Sequence, residues 1–317
     1  MLKSIPPFLT FIPAIRNYVW GGRSLLSLAG LGAETNQGPI AEVWAIHEDN
    51  PVRGGVFAGH TLAELAVEYP NDILGTDVAA QGSKRFPLLI KLLDCASWLS
   101  LQVHPNDEQA RRLEGPQFMG KTEAWHILNA QPDAQLIAGI KPNTSTGALR
   151  TAVGNETILD LVEYHRVQTN DTIFVPAGTI HALGPGLLVY EVQQTSDLTY
   201  RVFDWNRPQA NGRVLHIEKS IAVSNLQSQG KIIHQQDSGS TTSKLVKCPY
   251  FHLEMLSAPQ ERDTQGKSFH ALTVIAGEAH ISTRESEVML HKFDTILVSA
   301  VCGRYHLEGN FQILCSS

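Results

Sequence analysis

The run Trp98-Leu-Ser-Leu-Gln-Val-His104 alternates apolar and polar residues. On an extended backbone Leu99, Leu101 and Val103 share one face, and Ser100, Gln102 and His104 share the other. Polar groups on one side of an apolar strand either meet water or line an interior that uses them, because an unpartnered buried polar group costs energy. A metal-lined barrel interior is the sharper of these readings. In Gly120-Lys-Thr-Glu-Ala-Trp-His126, Lys121 and Glu123 also share parity, and a surface ion pair would account for them. Asn170-Asp-Thr-Ile-Phe-Val-Pro-Ala-Gly-Thr-Ile-His181 opens on a turn and continues as a β-branched and aromatic run. Pro176 and Gly178 then bend the chain so that His181 can point back inward. Among thirteen histidines, this one is set apart by its PxGxxH context. In Glu191-Val-Gln-Gln-Thr-Ser-Asp-Leu-Thr-Tyr-Arg201, the residues Asp197, Thr199 and Arg201 share a face, and a surface Asp–Arg pair is the plain account.

The elements that must position these residues read as mostly β. Short runs rich in Val, Ile, Leu and Phe are punctuated by Gly, Pro, Asn and Asp. Thr61-Leu-Ala-Glu64 is a capping box with Leu62, Leu65, Ala66 and Tyr69 at helical spacing behind it. A short helix is predicted over Asp107 to Leu113, ended by Gly115. Helical spacing also marks residues 156–165, through Ile158, Leu161 and Val162, and residues 216–224. The polar stretch 226–243 reads as a linker. Beyond it lie strand-like runs of a small all-β unit, with Gly277-Glu278 as a hairpin turn. A boundary is therefore placed at residue 240, giving domains 1–240 and 241–317. The run Phe293-Asp-Thr-Ile-Leu-Val-Ser-Ala300 echoes Asn170-Asp-Thr-Ile-Phe-Val-Pro-Ala177, so the two halves could be distant copies of one barrel.

Composition narrows the function classes. The 317 residues are 43% hydrophobic and 18% charged, which suits a globular chain with a sizeable core. A net charge of -6 lacks the basic footprint that sequence-independent nucleic-acid binding needs. No apolar run approaches a membrane span, and the N-terminal segment, broken by Pro6, Pro7 and Pro13, lacks a convincing signal-peptide cleavage site. Cys95, Cys248, Cys302 and Cys315 form no CxxC pair, which suits a reducing, cytoplasmic setting. Nothing fixes the oligomeric state between monomer and small homo-oligomer.

Several of these motifs together carry a resemblance. The stretch ending at His181 looks like the second cupin motif, with Asn170 at the usual glycine, and Gln102-Val-His104 resembles the first, with Gln replacing one His. QVHPND, KTEAW, PAGTIHAL and QQTSDLTYRVFDW, with Tyr18-Val-Trp-Gly-Gly22 and Ala41-Glu-Val-Trp44, resemble the type I mannose-6-phosphate isomerase family in its short bacterial form. The match spans roughly residues 10 to 220. Glu123 lies far beyond His104, unlike the general cupin spacing but as in these isomerases.

The resemblance implies a cupin (jelly-roll) barrel with helical insertions and a second, smaller, metal-free cupin-like β-sandwich. It implies one zinc ion per chain, held by Gln102, His104, Glu123 and His181. Two imidazoles and a carboxylate suit catalytic zinc, although an N/O set could also hold iron, cobalt or manganese. The implied reaction interconverts mannose 6-phosphate and fructose 6-phosphate through a cis-enediol, with Arg201 as electrostatic stabiliser. Asp197, another carboxylate, a histidine and zinc-bound water are the candidate bases. Lys91, Ser100 and Lys121 match positions that bind substrate or its phosphate, and Glu42 and Glu191 match positions that contact sugar hydroxyls. Lys91, in an apolar strand, either snorkels to solvent or points at an anion. The rival readings are a non-catalytic sugar-phosphate-binding cupin, which would lack Arg201 or a metal ligand, and an iron-dependent dioxygenase, which would give Lys91, Lys121 and Arg201 no joint role.

Overall fold

The computed structural model describes residues 4–26, 28, 38–80, 82, 85–208, 213–234 and 240–317. Its contacts group the chain into two units that each draw on separate stretches of sequence. One comprises Met1–Ala14, Trp44–Ile90 and Gln236–Ser317, and the other Ile15–Val43 and Lys91–Gln235.

In the second unit, two antiparallel layers enclose an apolar interior. A five-stranded sheet runs in the order Tyr200–Phe203, Leu101–Val103, His181–Leu183, Gln135–Ile140, Val162–Arg166. A seven-stranded sheet, most of whose residues belong to this unit, runs Lys231–Ile233, Thr172–Val175, Glu123–Ala130, Leu187–Gln194, Leu88–Cys95, Glu42–Ile46, Ala14–Arg16. Strand alternation decides what each face meets. Trp125, Ile127, Leu136, Ala138, Ile173, Val175, Leu187 and Val189 pack together in one core. Leu101, Val103, Ile137, Ala182, Tyr200 and Val202 pack in another, with Leu149 of the helix Thr146–Gly154 and Ile221 of the helix Ile217–Val223. Leu101 and Val103 therefore face these helices as their parity predicts. Leu99 lies before the strand begins and joins the first core instead.

The predicted capping box forms, and a second one appears at Asn106. Thr61 Oγ1 accepts from Glu64 N at 3.2 Å, and Glu64 Oε2 accepts from Thr61 N at 2.9 Å, starting the helix Leu62–Glu68. Asn106 and Gln109 do the same for Asp107–Glu114, which stops at Gly115. Three expectations are corrected. Residues 156–165 hold a 3₁₀ turn, Ile158–Asp160, and then the strand Val162–Arg166, because pairing with Gln135–Ile140 overrides the helical spacing. Part of the stretch 226–243 is not linker: Lys231–Ile233 pairs with Thr172–Phe174. Residues 235–239 of that stretch lie outside the described residues. Gly277-Glu278 is no hairpin turn but lies within the strand His270–Ser282, where Gly277 pairs with Phe311 just beyond a register shift. Gly277 has φ +70, and a Cβ there would overlap the Asn310 carbonyl oxygen.

In the first unit, one eight-stranded antiparallel sheet contains the strands from Thr242 to Ser316 together with Phe8–Leu9. Its core is Leu256, Leu272, Val274, Ile281, Ile296, Tyr305, Phe311 and Ile313, with their neighbours. The echo between the two halves extends to the backbone. Asn170 and Phe293 hold φ of 74 and 73, and each precedes an equivalent strand, Thr172–Val175 and Thr295–Val298.

Candidate metal centre and cleft

Register puts the polar residues of the five-stranded sheet in one row. Arg201 pairs with Gln102, Gln102 with His181, and His181 with Ala138. Directly opposed residues of antiparallel strands project to the same face, so Arg201, Gln102 and His181 point the same way. His104 follows the strand end. Gly178, at φ +87, donates its backbone N–H to the His104 carbonyl at 2.8 Å and ties the two histidine segments together. Glu123 enters from the other sheet, between Gln193 and Val175.

His104, Glu123 and His181 are buried and bring one ligand atom each within 4.8 Å of one another. Each imidazole has its Nδ1 on a backbone carbonyl, Leu198 at 2.7 Å and Thr179 at 2.8 Å, so Nδ1 carries the proton and Nε2 offers its lone pair. His181 Nε2 lies 3.2 Å from Glu123 Oε1, which has no hydrogen-bond donor among the described residues. Two acceptors facing each other in a dry interior repel unless a cation sits between them. The donor set thus fits a divalent metal. Gln102 Nε2 is 3.2 Å from His181 Nε2, and turning the amide over presents its oxygen to the same spot. Burial, with Lys121 adding to it, holds His181 down at about 3 and His104 well below the usual imidazole range, so both stay neutral donors.

Around this centre the charges interlock. Lys121 Nζ bonds Glu123 Oε2 and stands 3.2 Å from His104 Nε2. Glu191, Lys91 and Glu42 come from three adjacent strands. Lys91 Nζ lies 3.3 Å from Glu191 and 3.5 Å from Glu42, so the anions it meets are the protein's own carboxylates. Burial favours neutral Lys91, but Glu42 and Glu191 outweigh it and raise its pKa. Burial alone would raise Glu191, yet Lys121 and Lys91 pull it down to about 2, and Trp125 Nε1 donates to its other oxygen at 2.9 Å.

A cleft of about 80 Å³ opens on this cluster and brings Glu42, Lys91, Ser100, Gln102, Lys121, Glu191, Asp197 and Arg201 together. His104, Glu123 and His181 lie behind it, almost fully buried. The cleft adjoins a recess of about 330 Å³ that shares Tyr18, Asp197, Thr199 and Arg201 and adds Glu114, His216 and Lys219. Sequence reasoning missed Arg213, which lines the cleft and follows a polar stretch of sequence without periodicity. It also missed the buried Gln194, whose side chain accepts from Thr122 N at 2.9 Å and donates to Asp107 at 3.0 Å. Asp107 also accepts from Gly120 N at 2.7 Å, which fixes the segment carrying Lys121 and Glu123.

A two-layered β-barrel that aims two histidines, a carboxylate and an amide at one buried point is the architecture of a cupin. Residues 8–163 match the catalytic domain of phosphomannose isomerase type I, and residues 241–317 match the mannose-6-phosphate isomerase cupin domain. The mannose-6-phosphate isomerase ManA of Bacillus subtilis is 35% identical over 97% of this chain and 98% of that protein. The mannose-6-phosphate isomerase of Streptococcus mutans is 32% identical over 94% of each. A crystal structure of the mannose 6-phosphate isomerase from Bacillus subtilis superposes with a TM-score of 0.87 at 29% identity, covering 98% of this chain and 100% of that one. The chain belongs to the type I phosphomannose isomerases.

Proposed function

We propose that this enzyme interconverts D-mannose 6-phosphate and D-fructose 6-phosphate, with one zinc ion held by Gln102, His104, Glu123 and His181. The observation that carries the metal assignment is the acceptor cluster itself: two imidazole lone pairs and a donorless carboxylate oxygen converge in a dry interior. Zinc, when bound, supplies a Lewis acid that polarises the carbonyl and hydroxyl oxygens of C1 and C2.

The residues do the rest. Isomerisation moves the C2 proton of the aldose to C1 and the O2 proton to O1, through a cis-enediol. Glu123 and Glu191 are engaged by lysines and Glu42 by Lys91, whereas Asp197 has no ion pair among the described residues and lines the cleft. Asp197 is therefore the base that takes the proton from one carbon and returns it to the other. Lys121, on the metal side, donates to the sugar oxygens. Arg201 faces the developing enediolate charge from the same row as Gln102. Ser100, Lys91, Glu42 and Glu191 orient the sugar hydroxyls. Residues 1–240 carry the whole site, and 241–317 act as a structural domain without metal. No helix among the described residues is long and apolar enough to cross a membrane. Four free thiols agree with a cytosolic enzyme.

A coupled assay with mannose 6-phosphate tests this. Chelation should abolish turnover and added zinc should restore it, and His181→Ala should lose most of its bound metal. Full activity in demonstrably metal-free protein would overturn the proposal.

A further inference from the structure

The substrate's phosphate is a near-dianion and needs a cation that the protein has not already neutralised. The lysines of the site are spoken for. Lys91 lies against two carboxylates, Lys121 against Glu123, and Lys219 against Glu114 at 2.6 Å. Arg213 differs. Its Nε donates to Asp204 Oδ2 at 2.6 Å and its Nη2 to Asp204 Oδ1 at 2.5 Å. This two-point grip leaves Nη1 without a hydrogen-bond partner among the described residues, on a side chain that lines the cleft and is 11% exposed. Asp204 is itself buried and also accepts from Arg207 at 3.2 Å. One carboxylate thus serves two guanidiniums, and the cluster keeps an uncancelled positive charge. Arg201 adds to it, since burial and then Arg213 lower its pKa.

We propose that Arg213, locked by Asp204, is the anchor for the phosphate of the sugar phosphate. The inference rests on the reading of the cleft as a sugar-phosphate site and names which residue in it holds that group. The geometry also orients the substrate. The reacting carbons lie at Gln102, Lys121 and Arg201, and the phosphate lies beyond them at Arg213. A fixed fork of N–H donors suits a phosphate better than a flexible ammonium.

Calorimetric titration of the zinc-loaded enzyme with mannitol 6-phosphate and with inorganic phosphate tests the assignment. Arg213→Gln should weaken both by about 10- to 100-fold, the loss of one charge-assisted contact. In turnover the KM for mannose 6-phosphate should rise with kcat within about threefold, because a contact remote from C1 and C2 acts on ground and transition states alike. Asp204 keeps Arg207, so the fold should survive, as zinc content and Tm would show. Should Arg213→Gln fail to fold, Arg213→Lys keeps the charge and should still weaken mannitol 6-phosphate about tenfold. Wild-type affinity for mannitol 6-phosphate in either folded variant overturns the anchor. A wild-type enzyme that binds mannitol 6-phosphate but does not turn over mannose 6-phosphate would overturn the proposed function, and the titrations would still decide the role of Arg213.

Discussion

At the scale of single residues, the site depends on which charges are already cancelled. Lys91 has family-like placement, yet its two carboxylate partners make it a hub of the cleft wall rather than a free cation. Truncating it would take a counter-ion from two buried carboxylates and leave Glu191 with Lys121 as its remaining cation, a loss that typically costs about 3–5 kcal/mol of stability. Arg201 is the contrasting case. It sits in register with Gln102 and lines both the cleft and the outer recess. Its proposed task is to meet charge that appears only as the enediolate forms, which requires a planar, rigid, permanently charged donor. Arg201→Lys should therefore be nearly as damaging as Arg201→Ala, each lowering kcat by about 10²–10³, with zinc content unchanged. If Arg201 were only a surface partner of Asp197, both variants would turn over almost normally, because exposed ion pairs contribute about 0–1 kcal/mol. Near-wild-type kcat in Arg201→Lys would show that charge without geometry suffices.

At the scale of elements, the sequence was legible where the signal was local. Strand parity predicted that Gln102 shares a face with Ser100 and that Lys121 goes with Glu123. The Pro176 and Gly178 bend turned His181 inward, and the structure has it beside Gln102. The Thr61 capping box predicted its helix, and the run ended by Gly115 predicted the helix Asp107–Glu114. Legibility failed where partners distant in sequence decide the outcome. Gly277-Glu278 has turn chemistry, but eleven register pairs with Arg304–Ser316 hold it inside a strand. Residues 42, 91 and 191 each look like isolated charges until three adjacent strands set them side by side. The helix Asp107–Glu114 shows how a local device supports a distant site. Its cap, Asn106, starts the turn from which Asp107 reaches Gly120 and Gln194. Asn106→Ala should cost about 1 kcal/mol of stability. It should also lower kcat several-fold, because Lys121 and Glu123 follow Gly120 directly. A variant that loses stability but keeps full kcat would show that the cap supports the fold alone.

At the scale of the whole molecule, two histidines away from the metal centre make stability depend on pH, one in each unit. His126 is fully buried, with Nδ1 at 2.9 Å from Thr172 Oγ1, and burial lowers its pKa to about 4 against a small opposing effect of Asp171. His270 lies 2.8 Å from the Tyr305 hydroxyl. Burial, then Arg262, bring it down to about 4 despite Glu254 and Asp263. In the unfolded chain each would protonate near its ordinary value of about 6.5. Below that value the unfolded state binds more protons than the folded state, so stability falls as pH falls. The loss begins near 6.5 and levels off near 4. Carboxylates with lowered values, such as Glu114, act only below their ordinary range near 4.5 and add little between 6.5 and 4.5. Each should contribute a loss of about 2 kcal/mol between pH 7 and pH 5. Chemical denaturation at both pH values, at matched zinc, should show the wild type losing about 4 kcal/mol more than a His126→Asn, His270→Gln double variant. The variant is the necessary comparison, because protonation of the metal ligands would weaken both proteins alike. Equal losses in the two proteins would mean that neither buried imidazole resists protonation, and that the pH dependence of this fold lies wholly in its metal centre and carboxylates.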